Sequence, residues 1–499
     1  MGEHREVEQT YAPGAGAVLP DLTRLPGVAR LGEPEVVELS ATYFDTAGLA
    51  LLRAGVTLRR RAGGGDAGWH AKLPAGEGRD EVRLPLHAAE GEPPAELLDL
   101  VRGWTRGAPV VEVARIDTRR TERGLLGRDG AVLAELAQDE VSGVNGDGRR
   151  ATWCEWELEL VEGRRSLLKA ADKLMDRSGV PVSPVPRKIL HVLGERLAEL
   201  PPAPPGPTEP AGLMLRARLA EQVAELLRRD SEIRRGRPEG VHQARVASRR
   251  LRSALATYRP LVDRTVTDPV RAELKWFGQE LAGARDALVV RRRLEQLVAQ
   301  EPPGLMVPVA GARLETTYDA RARAAADQVA AVLDSERYLE LLGALQRLVA
   351  TPPLITEADR PAEKVLPKRV RKDWHRLAEG VAGLDEAPEP DPAWHQVRKD
   401  AKRLRYAAEA LEPVWGKKAR RLARNAKKIT SHLGERQDTV VAREHLRQIA
   451  GEADLAGESS FTWGRLHARE EALARDLDRA FDRLWSDIAG RKRLRAWLR

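Results

Sequence analysis

The sequence predicts a multidomain α+β protein in which an antiparallel β-barrel tunnel with flanking helices precedes an all-α helical bundle. Three observations predict this fold class. The first part of the chain consists of short runs that alternate polar and apolar residues between Gly, Asp and Pro turns, as strands do. The last part consists of long Ala-, Leu-, Arg- and Glu-rich stretches with an apolar period near 3.6, as in helices. The proline-rich segment LPPAPPGPTEPAG lies between them and cannot continue a helix.

These patterns divide the chain into three segments. We expect a barrel domain over 3–200, a linker over 201–212 and a helical domain over 213–499. Within the barrel domain, the strand-like runs are interrupted near 93–104 and followed near 164–178 by segments with helical periodicity.

Composition and charge narrow the classes of function. The one cysteine, Cys154, excludes an internal disulfide framework and a cysteine-rich metal site, and a reducing cytosolic compartment fits best. No apolar run approaches about 18 residues, so no membrane span is expected. Residues 1–200 carry 27 Lys/Arg and 32 Asp/Glu, whereas the other 299 residues carry 56 and 43. The helical part is therefore the better candidate to bind a polyanion.

A basic phrase that begins with a histidine occurs twice in the helical part. VHQARVASRRLRSAL begins at Val241, and WHQVRKDAKRLRYAA begins at Trp394. The matched positions are His242, Arg245, Arg249, Arg250 and Arg252 in the first copy and His395, Arg398, Lys402, Arg403 and Arg405 in the second. Lys275 and Asp286 match Lys427 and Asp438. The helical part therefore contains a duplicated unit of several helices, with repeats at about 213–350 and 360–499.

Each copy predicts a basic stripe along one helix. At about 100° per residue, four positions of each copy fall within an arc of about 80°: His242, Arg245, Arg249 and Arg252, and His395, Arg398, Lys402 and Arg405. Neither stripe contains a carboxylate, and like charges at this spacing repel unless an anion lies against them. A solvated basic face is the alternative, but the duplication with matched spacing favours a polyanion-binding groove formed by both stripes.

The stripes hold few aromatic residues, and aromatic residues make up 4% of the chain. Proteins that bind single-stranded nucleic acid usually stack bases on aromatic side chains. A ligand made of phosphate alone therefore fits the stripes better than a nucleic acid does, since guanidinium groups bind phosphate oxygens without a base.

The duplicated histidine-and-arginine pattern, with its downstream K…L-x-x-x-R-D tail, resembles the CHAD domain, an α-helical module that binds inorganic polyphosphate. The resemblance covers about 213–499. It implies that residues of both copies line a polyphosphate-binding groove: His242, Arg245, Arg249, Arg252, Lys275, His395, Arg398, Lys402, Arg405 and Lys427. The second copy departs at ERQD, where the first has GARD, and offers Gln437, or Arg436 one place earlier, in place of Arg285.

In the predicted strands, alternation sorts charged side chains by type. Carboxylates share a face on the first and last strands, at Glu6 and Glu8 and at Glu155, Glu157 and Glu159, and basic residues share a face on the middle strands. If the sheet closes, these faces point into one lumen, where charges are costly unless they bind something. Carboxylates would hold Mg²⁺ or Mn²⁺, and the basic residues would hold phosphate. A soluble sheet with its polar face in water is the alternative.

The segments EVEQT, YFDT, LRRR, HAKLP, EVRL, DTRR, AELAQDEV, EWELEL and RK resemble the CYTH domain, or triphosphate tunnel metalloenzyme family, over about 3–200. The family is an eight-stranded antiparallel tunnel that binds or hydrolyses triphosphates with a divalent metal. The resemblance implies metal ligands at Glu6, Glu8, Glu157 and Glu159. It implies that Asp139 holds or orients a second ion, and that phosphate is held by Arg59, Arg61, Lys72, Arg83, Arg120 and Lys188.

One departure from the family bears on catalysis. The opening motif of the family is Glu-x-Glu-x-Lys, and the last position here is Thr10, which carries no positive charge. The sequence therefore leaves open whether the tunnel, with Glu6, Glu8 and Asp139 as its catalytic residues, is a triphosphatase.

The sequence predicts a cytoplasmic protein that binds triphosphate and inorganic polyphosphate, and association with polyphosphate granules is an expectation from the CHAD resemblance. Two alternatives stay open: a non-catalytic polyphosphate-binding protein with a degenerate tunnel, and a nucleic-acid-binding protein.

Overall fold

The computed structural model describes residues 2–76, 78–86, 91–185, 187–194, 206–302, 305 and 310–490, and it describes their side chains except at 2–6, 238, 284–289 and 310. Contacts divide the chain into two compact units, Met1–Pro201 and Pro202–Arg499. No helix among the described residues is both long enough and apolar enough to cross a membrane.

The first unit is built on a ten-stranded sheet with four helices in its described residues. The strands are β1 (Gly2–Glu6), β2 (Glu8–Tyr11), β3 (Arg30–Leu31), β4 (Glu35–Thr46), β5 (Thr57–Ala62), β6 (Gly68–Ala75), β7 (Gly78–Leu84), β8 (Val110–Leu126), β9 (Val132–Asn145) and β10 (Arg150–Leu160). The helices are α1 (Ala50–Arg53), α2 (Ala95–Thr105), α3 (Arg165–Arg177) and α4 (Leu190–Leu193).

All neighbouring strands are antiparallel, in the order β1-β7-β6-β5-β4-β8-β9-β10-β2. The two ends of this order, β1 and β2, are separated in the chain by Val7 alone. The sheet must therefore curl until its ends meet at the N-terminal segment, and its concave face becomes the wall of a tunnel. The predicted antiparallel barrel with flanking helices is confirmed.

Alternation along β10 assigns its side chains to two environments. Trp156, Leu158 and Leu160 point outward into an apolar core that includes Leu167 and Met175 of α3. Glu155, Glu157 and Glu159, at the alternate positions, therefore point into the tunnel. Burial of the outward apolar residues against α3 fixes the register of β10, because a shift of one residue would exchange the two sets.

A second apolar core packs the segment around α4 against the sheet. It contains Tyr43 of β4, Ile116 of β8 and Val141 of β9, packed against Ile189, which precedes α4, and Val192 within it. The carboxamide of Asn145 donates a hydrogen bond to the backbone oxygen of Val192, at 3.1 Å, and ties α4 to β9. Lys188, just before α4, is thereby held at the charged lumen.

The second unit is all α-helical in its described residues, as predicted. Its helices are α5 (Ala211–Arg234), α6 (Pro238–Thr257), α7 (Arg264–Glu280), α8 (Ala282–Ala299), α9 (Ala310–Asp334), α10 (Glu336–Ala350), α11 (Ala362–Ala382), α12 (Pro390–Ala410), α13 (Glu412–Trp415), α14 (Lys417–Leu455) and α15 (Phe461–Ala489).

The duplication is visible in the helices. The first basic stripe lies on α6 and the second on α12, and these two helices pack against each other. The part of the first repeat that corresponds to α14 is divided into α7 and α8 at Leu281, whereas α14 runs unbroken for 39 residues. The two copies therefore share an arrangement but differ in the continuity of one helix.

Candidate functional site

The tunnel of the first unit encloses a cavity of about 590 Å³. The strands β2, β5, β6, β7, β8 and β10 and the segment before α4 present charged side chains to it. Nine of the predicted site residues line it: Glu8, Arg59, Arg61, Lys72, Arg83, Arg120, Glu157, Glu159 and Lys188. Asp139 lies directly behind, in contact with Arg120 and Lys188. Glu6 ends β1, but its side chain lies outside the described residues.

Three carboxylates meet on one wall of the tunnel. Asp139, Glu155 and Glu157 each offer an oxygen within 4.8 Å of the other two. Glu155 is directly opposite Asp139 in the register of β10 and β9, and Glu157 follows it on the same face. Such hard oxygen ligands suit Mg²⁺ or Mn²⁺, so the residues present fit the divalent ion that the fold implies.

Two cations bridge the carboxylates of this wall. Arg120 donates to both oxygens of Asp139, at 2.8 and 2.7 Å, and to Glu157 at 2.6 Å. The Nζ of Lys188 lies 2.9 Å from Asp139, donates to Glu157 at 2.7 Å, and donates to Glu155. Both cations were predicted to bind phosphate, and both are engaged by protein carboxylates in this structure.

The charges of this wall shift one another's ionisation. Burial opposes the charge of Glu157, but Lys188 and Arg120 outweigh burial and hold the pKa of Glu157 well below its usual range. Burial, together with the adjacent charge of Glu157, raises the pKa of Glu155. Burial opposes the charge of Lys188, but the three carboxylates outweigh it and raise its pKa.

The predicted ligands Glu6, Glu8, Glu157 and Glu159 stay a prediction, and the side chain of Glu6 lies outside the described residues. Among the described residues, Glu157 belongs to a carboxylate cluster that Glu155 and Asp139 complete. Glu159 lies one strand repeat away, directly opposite both Glu8 and Glu135. Glu8 accepts a hydrogen bond from Arg79, which the sequence did not single out. The strand pattern assigned the correct face, but the register between β9 and β10 decides which carboxylates meet.

On the opposite wall, basic residues surround a buried carboxylate, Glu81. Burial opposes its charge, but the hydrogen bond from His70 and the charges of Lys72 and Arg59 outweigh burial and hold the pKa of Glu81 well below its usual range. The side chain of Arg61 is held instead by Asp66 in the β5–β6 turn. Glu81 precedes Arg83 by two residues on β7, so both lie on one face of the strand, and Glu81 was not among the predicted site residues.

The second unit contains a cavity of about 930 Å³ lined by both repeats. Eight predicted residues line it: His242, Arg245, Arg249 and Arg252 from α6, and His395, Arg398, Lys402 and Arg405 from α12. Five further cations that the sequence analysis left out of the site also line it: Arg250, Arg271, Arg293, Lys399 and Arg403. The two basic stripes therefore converge on one groove.

Lys275 and Lys427 are not among the residues that line the groove. Both are exposed. Lys275 follows the lining residue Arg271 by one turn of α7, and Lys427 precedes the lining residues Thr430 and Ser431 by one turn of α14. Each lysine therefore lies one turn beyond the enclosed part of the groove, since helix rise carries it about 5 Å along the axis.

The groove contains protein carboxylates that the stripes alone did not show. Arg405 donates to Glu409 at 2.8 Å, and Arg250 donates to the same residue at 3.1 Å. Arg403 lies 2.7 Å from the buried Asp373. Among the described residues that line the groove, Asp438 is the one carboxylate, against eleven Lys and Arg. Arg271 and Arg293 also form ion pairs, with Asp268 and Glu470. Cations therefore outnumber carboxylates at the lining itself, and part of their charge is met by carboxylates outside it.

Crowding of cations changes the ionisation of groove residues. Burial, followed by the charges of Arg398, Arg249 and Arg245, lowers the pKa of Lys402 to about 7. Burial and the charges of Arg271 and Arg249 lower the pKa of Arg252.

The polar groups of the groove differ in whether they have a hydrogen-bond partner within the described protein. The Nε of Arg249 is buried and makes no hydrogen bond to the described residues. Burial lowers the pKa of His395, whose Nδ1 lies 2.7 Å from Oε1 of Gln437. Gln437 lines the groove and is the residue of the second copy that corresponds to Arg285 of the first. The side chain of Arg285 lies outside the described residues. Arg436 is instead buried in ion pairs with Asp391 and Asp478.

Comparisons with known proteins match a different domain family to each of the two units. Residues 11–181 match the CYTH domain family, and residues 217–447 match the CHAD domain family. An uncharacterized protein of Mycobacterium tuberculosis is 36% identical over 494 residues, which cover 94% of each chain.

Among solved structures, PptA from Streptomyces chartreusis is 26% identical, with a TM-score of 0.48, and the match covers 56% of this chain and 99% of that one. The CHAD domain from the plant Ricinus communis is 24% identical, with a TM-score of 0.44, and the match covers 59% of this chain and 94% of that one.

Replacing Lys188 tests the balance of the acidic wall. Lys188→Met leaves Asp139, Glu155 and Glu157 with Arg120 as their remaining bridging cation, so we expect the first unit to lose about 3–5 kcal/mol of stability at pH 8. The carboxylates then have raised pKa values in the folded state, and their protonation restores stability as the pH falls toward 5. Urea unfolding at pH 5 and pH 8 measures this difference.

Lys169→Met, at an exposed position of α3, is the matched control, and we expect it to change stability by less than about 0.5 kcal/mol at either pH. An equal loss for Lys188→Met at the two pH values would contradict the assignment of Lys188 as the counter-charge of this wall.

Proposed function

The chain belongs to the family of proteins in which a CYTH domain precedes a CHAD domain, and on that premise we propose that its groove binds inorganic polyphosphate. We propose also that its tunnel binds a triphosphate, or the end of a polyphosphate chain, together with a divalent metal ion. The observation that carries the proposal is the convergence of both basic stripes on one cavity whose described lining holds eleven Lys and Arg and one carboxylate. A linear polyanion would neutralise this excess charge.

The groove favours phosphate over a base-bearing ligand. Tyr406 is the one aromatic residue among the lining side chains that the structure describes, apart from the histidines. Arg250 and Arg405 lie 5.7 and 5.8 Å from the centre of its ring, so cations already occupy positions beside this ring. Binding of single-stranded nucleic acid relies on open aromatic surfaces for bases. Guanidinium groups in this number suit phosphate oxygens instead.

The tunnel offers both components that a metal-bound triphosphate needs. Asp139, Glu155 and Glu157 would hold the metal ion, and the cations of the other wall would hold the phosphate chain. A bound divalent ion supplies Lewis-acid polarisation of a phosphoryl oxygen and a more acidic bound water. The chain's own residues orient the phosphates, and Lys188 and Arg120 position the carboxylates toward one point.

A tunnel without catalysis is the second candidate function. Thr10 lies directly opposite Glu157 in the register of β2 and β10, so no ammonium is present at the position where the family motif has lysine. A tunnel of this kind would bind phosphate as a second site and leave it uncleaved.

Arg249→Ala combined with Arg398→Ala tests the groove. We expect polyphosphate binding to weaken about 100-fold or more, because each change removes charge-assisted hydrogen bonds worth about 1.5–3 kcal/mol. The dependence of log Kd on log salt should also become shallower by about 0.7 per lost contact. Titration calorimetry of the full chain at several salt concentrations measures both.

Lys169→Ala combined with Lys173→Ala removes the same charge from the exposed face of α3 and should leave the affinity for polyphosphate within about twofold.

RNA at equal phosphate concentration should fail to displace polyphosphate. Displacement by RNA would instead support the nucleic-acid-binding alternative.

The pKa of about 7 for Lys402 predicts a pH dependence of binding. A bound polyanion favours the ammonium form, so binding takes up a proton above pH 7. We expect the affinity to fall by up to tenfold per pH unit from pH 7 upward, until the pKa of Lys402 in the complex is reached. Lys402→Arg keeps its charge over this range and should remove the dependence. A wild-type affinity that is constant from pH 7 to 9 would contradict this prediction.

Phosphate release from tripolyphosphate with Mg²⁺ or Mn²⁺ tests the tunnel. We expect the wild-type chain to release phosphate at a rate that Asp139→Asn combined with Glu155→Gln, or Glu157→Gln alone, lowers at least about 100-fold, because these carboxylates hold the metal in the proposal. Release no faster than that of the variants would leave the non-catalytic tunnel as the function of the first unit.

A further inference from the structure

Glu81 is buried in the tunnel wall, and cationic side chains from three adjacent strands converge on it. Its side chain is 1% exposed. Arg59 from β5 lies 3.9 Å from Oε1, Lys72 from β6 lies 4.0 Å from the same oxygen, and Arg83 from β7 donates to Oε2. The strand register brings them together, since Arg59 is opposite His70, and Lys72 is opposite Glu81.

His70 is the closest partner of this carboxylate. Its Nδ1 lies 3.0 Å from Oε1 of Glu81, and its Nε2 lies 2.8 Å from the backbone oxygen of Asp66. Both partners are acceptors, so the ring lies between them and ties Glu81 to the turn that holds Asp66.

Other charged groups surround this pair on the packed elements whose side chains the structure describes. Arg59 and Arg61 face it from β5, Lys72 lies two residues away on β6, Arg83 lies opposite on β7, and Asp66 lies in the turn. Asp66 is itself held by Arg61. One buried carboxylate, Glu81, therefore faces Arg59, Lys72 and Arg83.

We propose that Glu81, in contact with His70, is a positioning residue that gathers Arg59, Lys72 and Arg83 into one phosphate-binding cluster. This inference rests on the proposed function of the tunnel. Three cations this close repel one another, and a single buried anion at their centre holds them in place before ligand enters. Arg59 and Lys72 contact Glu81 beyond hydrogen-bond distance, so their bonds to phosphate need not replace a hydrogen bond to this carboxylate.

A purely electrostatic role of Glu81 and a positioning role predict opposite effects of Glu81→Gln on polyanion binding. If Glu81 merely reduced the positive potential of the tunnel, its removal would tighten the binding of a polyanion. If Glu81 positions the cations, its removal lets them separate, and binding weakens although the net charge rises. We expect tripolyphosphate with Mg²⁺ to bind Glu81→Gln about tenfold more weakly than the unaltered tunnel, and Glu81→Asp to recover part of the loss.

The measurement uses the full chain carrying Arg249→Ala and Arg398→Ala, so that the groove contributes little to tripolyphosphate binding. Glu122→Gln is the matched control, because Glu122 lines the same cavity and its removal changes the charge equally. Its side chain is 45% exposed, and we expect binding that is unchanged or tighter. Glu81→Gln binding as tightly as its parent, or more tightly, would overturn the positioning role.

Failure of the proposed function gives a different result. A parent chain that binds no tripolyphosphate, with or without Mg²⁺, removes the tunnel as a triphosphate site whatever Glu81 does. The inference about Glu81 then falls with the proposed function. A parent chain that binds tripolyphosphate, together with Glu81→Gln and Glu81→Asp variants that bind it as tightly, removes the inference about Glu81 alone.

Discussion

Mutual repulsion of cations in confined spaces is the constraint on which both units depend. A concave site that gathers several guanidinium and ammonium groups is unstable unless counter-charge is built into the protein or brought by a ligand. The two units meet this constraint differently. In the tunnel, Arg120 and Lys188 lie against Asp139, Glu155 and Glu157, and a second group of cations lies around Glu81. In the groove, cations exceed carboxylates at the described lining.

This difference changes what each site can accept. A metal ion that enters the tunnel must compete with Lys188 and Arg120 for the same carboxylate oxygens, whereas a phosphate chain must compete with those carboxylates for the cations. A metal-bound triphosphate carries both a cation and an anion. Its metal ion pairs with the tunnel carboxylates and its phosphates pair with the tunnel cations, so fewer buried charges are left unpaired than with either ligand alone. At the described lining of the groove, cations outnumber carboxylates, so a polyanion without a metal ion would suit it under the proposed function.

Duplication explains the groove more fully than the basic composition does. Two copies of one helix, α6 and α12, pack together and present matched residues to one cavity. The halves have since diverged. Arg249 of the first copy corresponds to Lys402 of the second, whose pKa is lowered to about 7. Arg285 of the first copy corresponds to Gln437 of the second, which contacts His395. The charge at Lys402 in the second copy therefore depends on pH and on ligand.

The sequence by itself determined the fold class, the faces of the strands and helices, and the kind of residue on each face. Periods of 2.0 and 3.6 residues are local properties, so the lumen-facing Glu155 and Glu157 and the stripe-forming Arg245 and Arg249 could be recognised without coordinates.

Tertiary structure alone decided which of these residues meet. Strand register placed Asp139 beside Glu155 and moved Glu159 toward Glu8, and the packing of β5, β6 and β7 gathered three cations and His70 around Glu81. Helix packing left Lys275 and Lys427 one turn beyond the enclosed groove and brought Glu409 to Arg250 across 159 residues of chain. The reason is physical: alternation fixes the direction of a side chain, but distances between charges depend on register and packing, which are set by apolar contacts elsewhere.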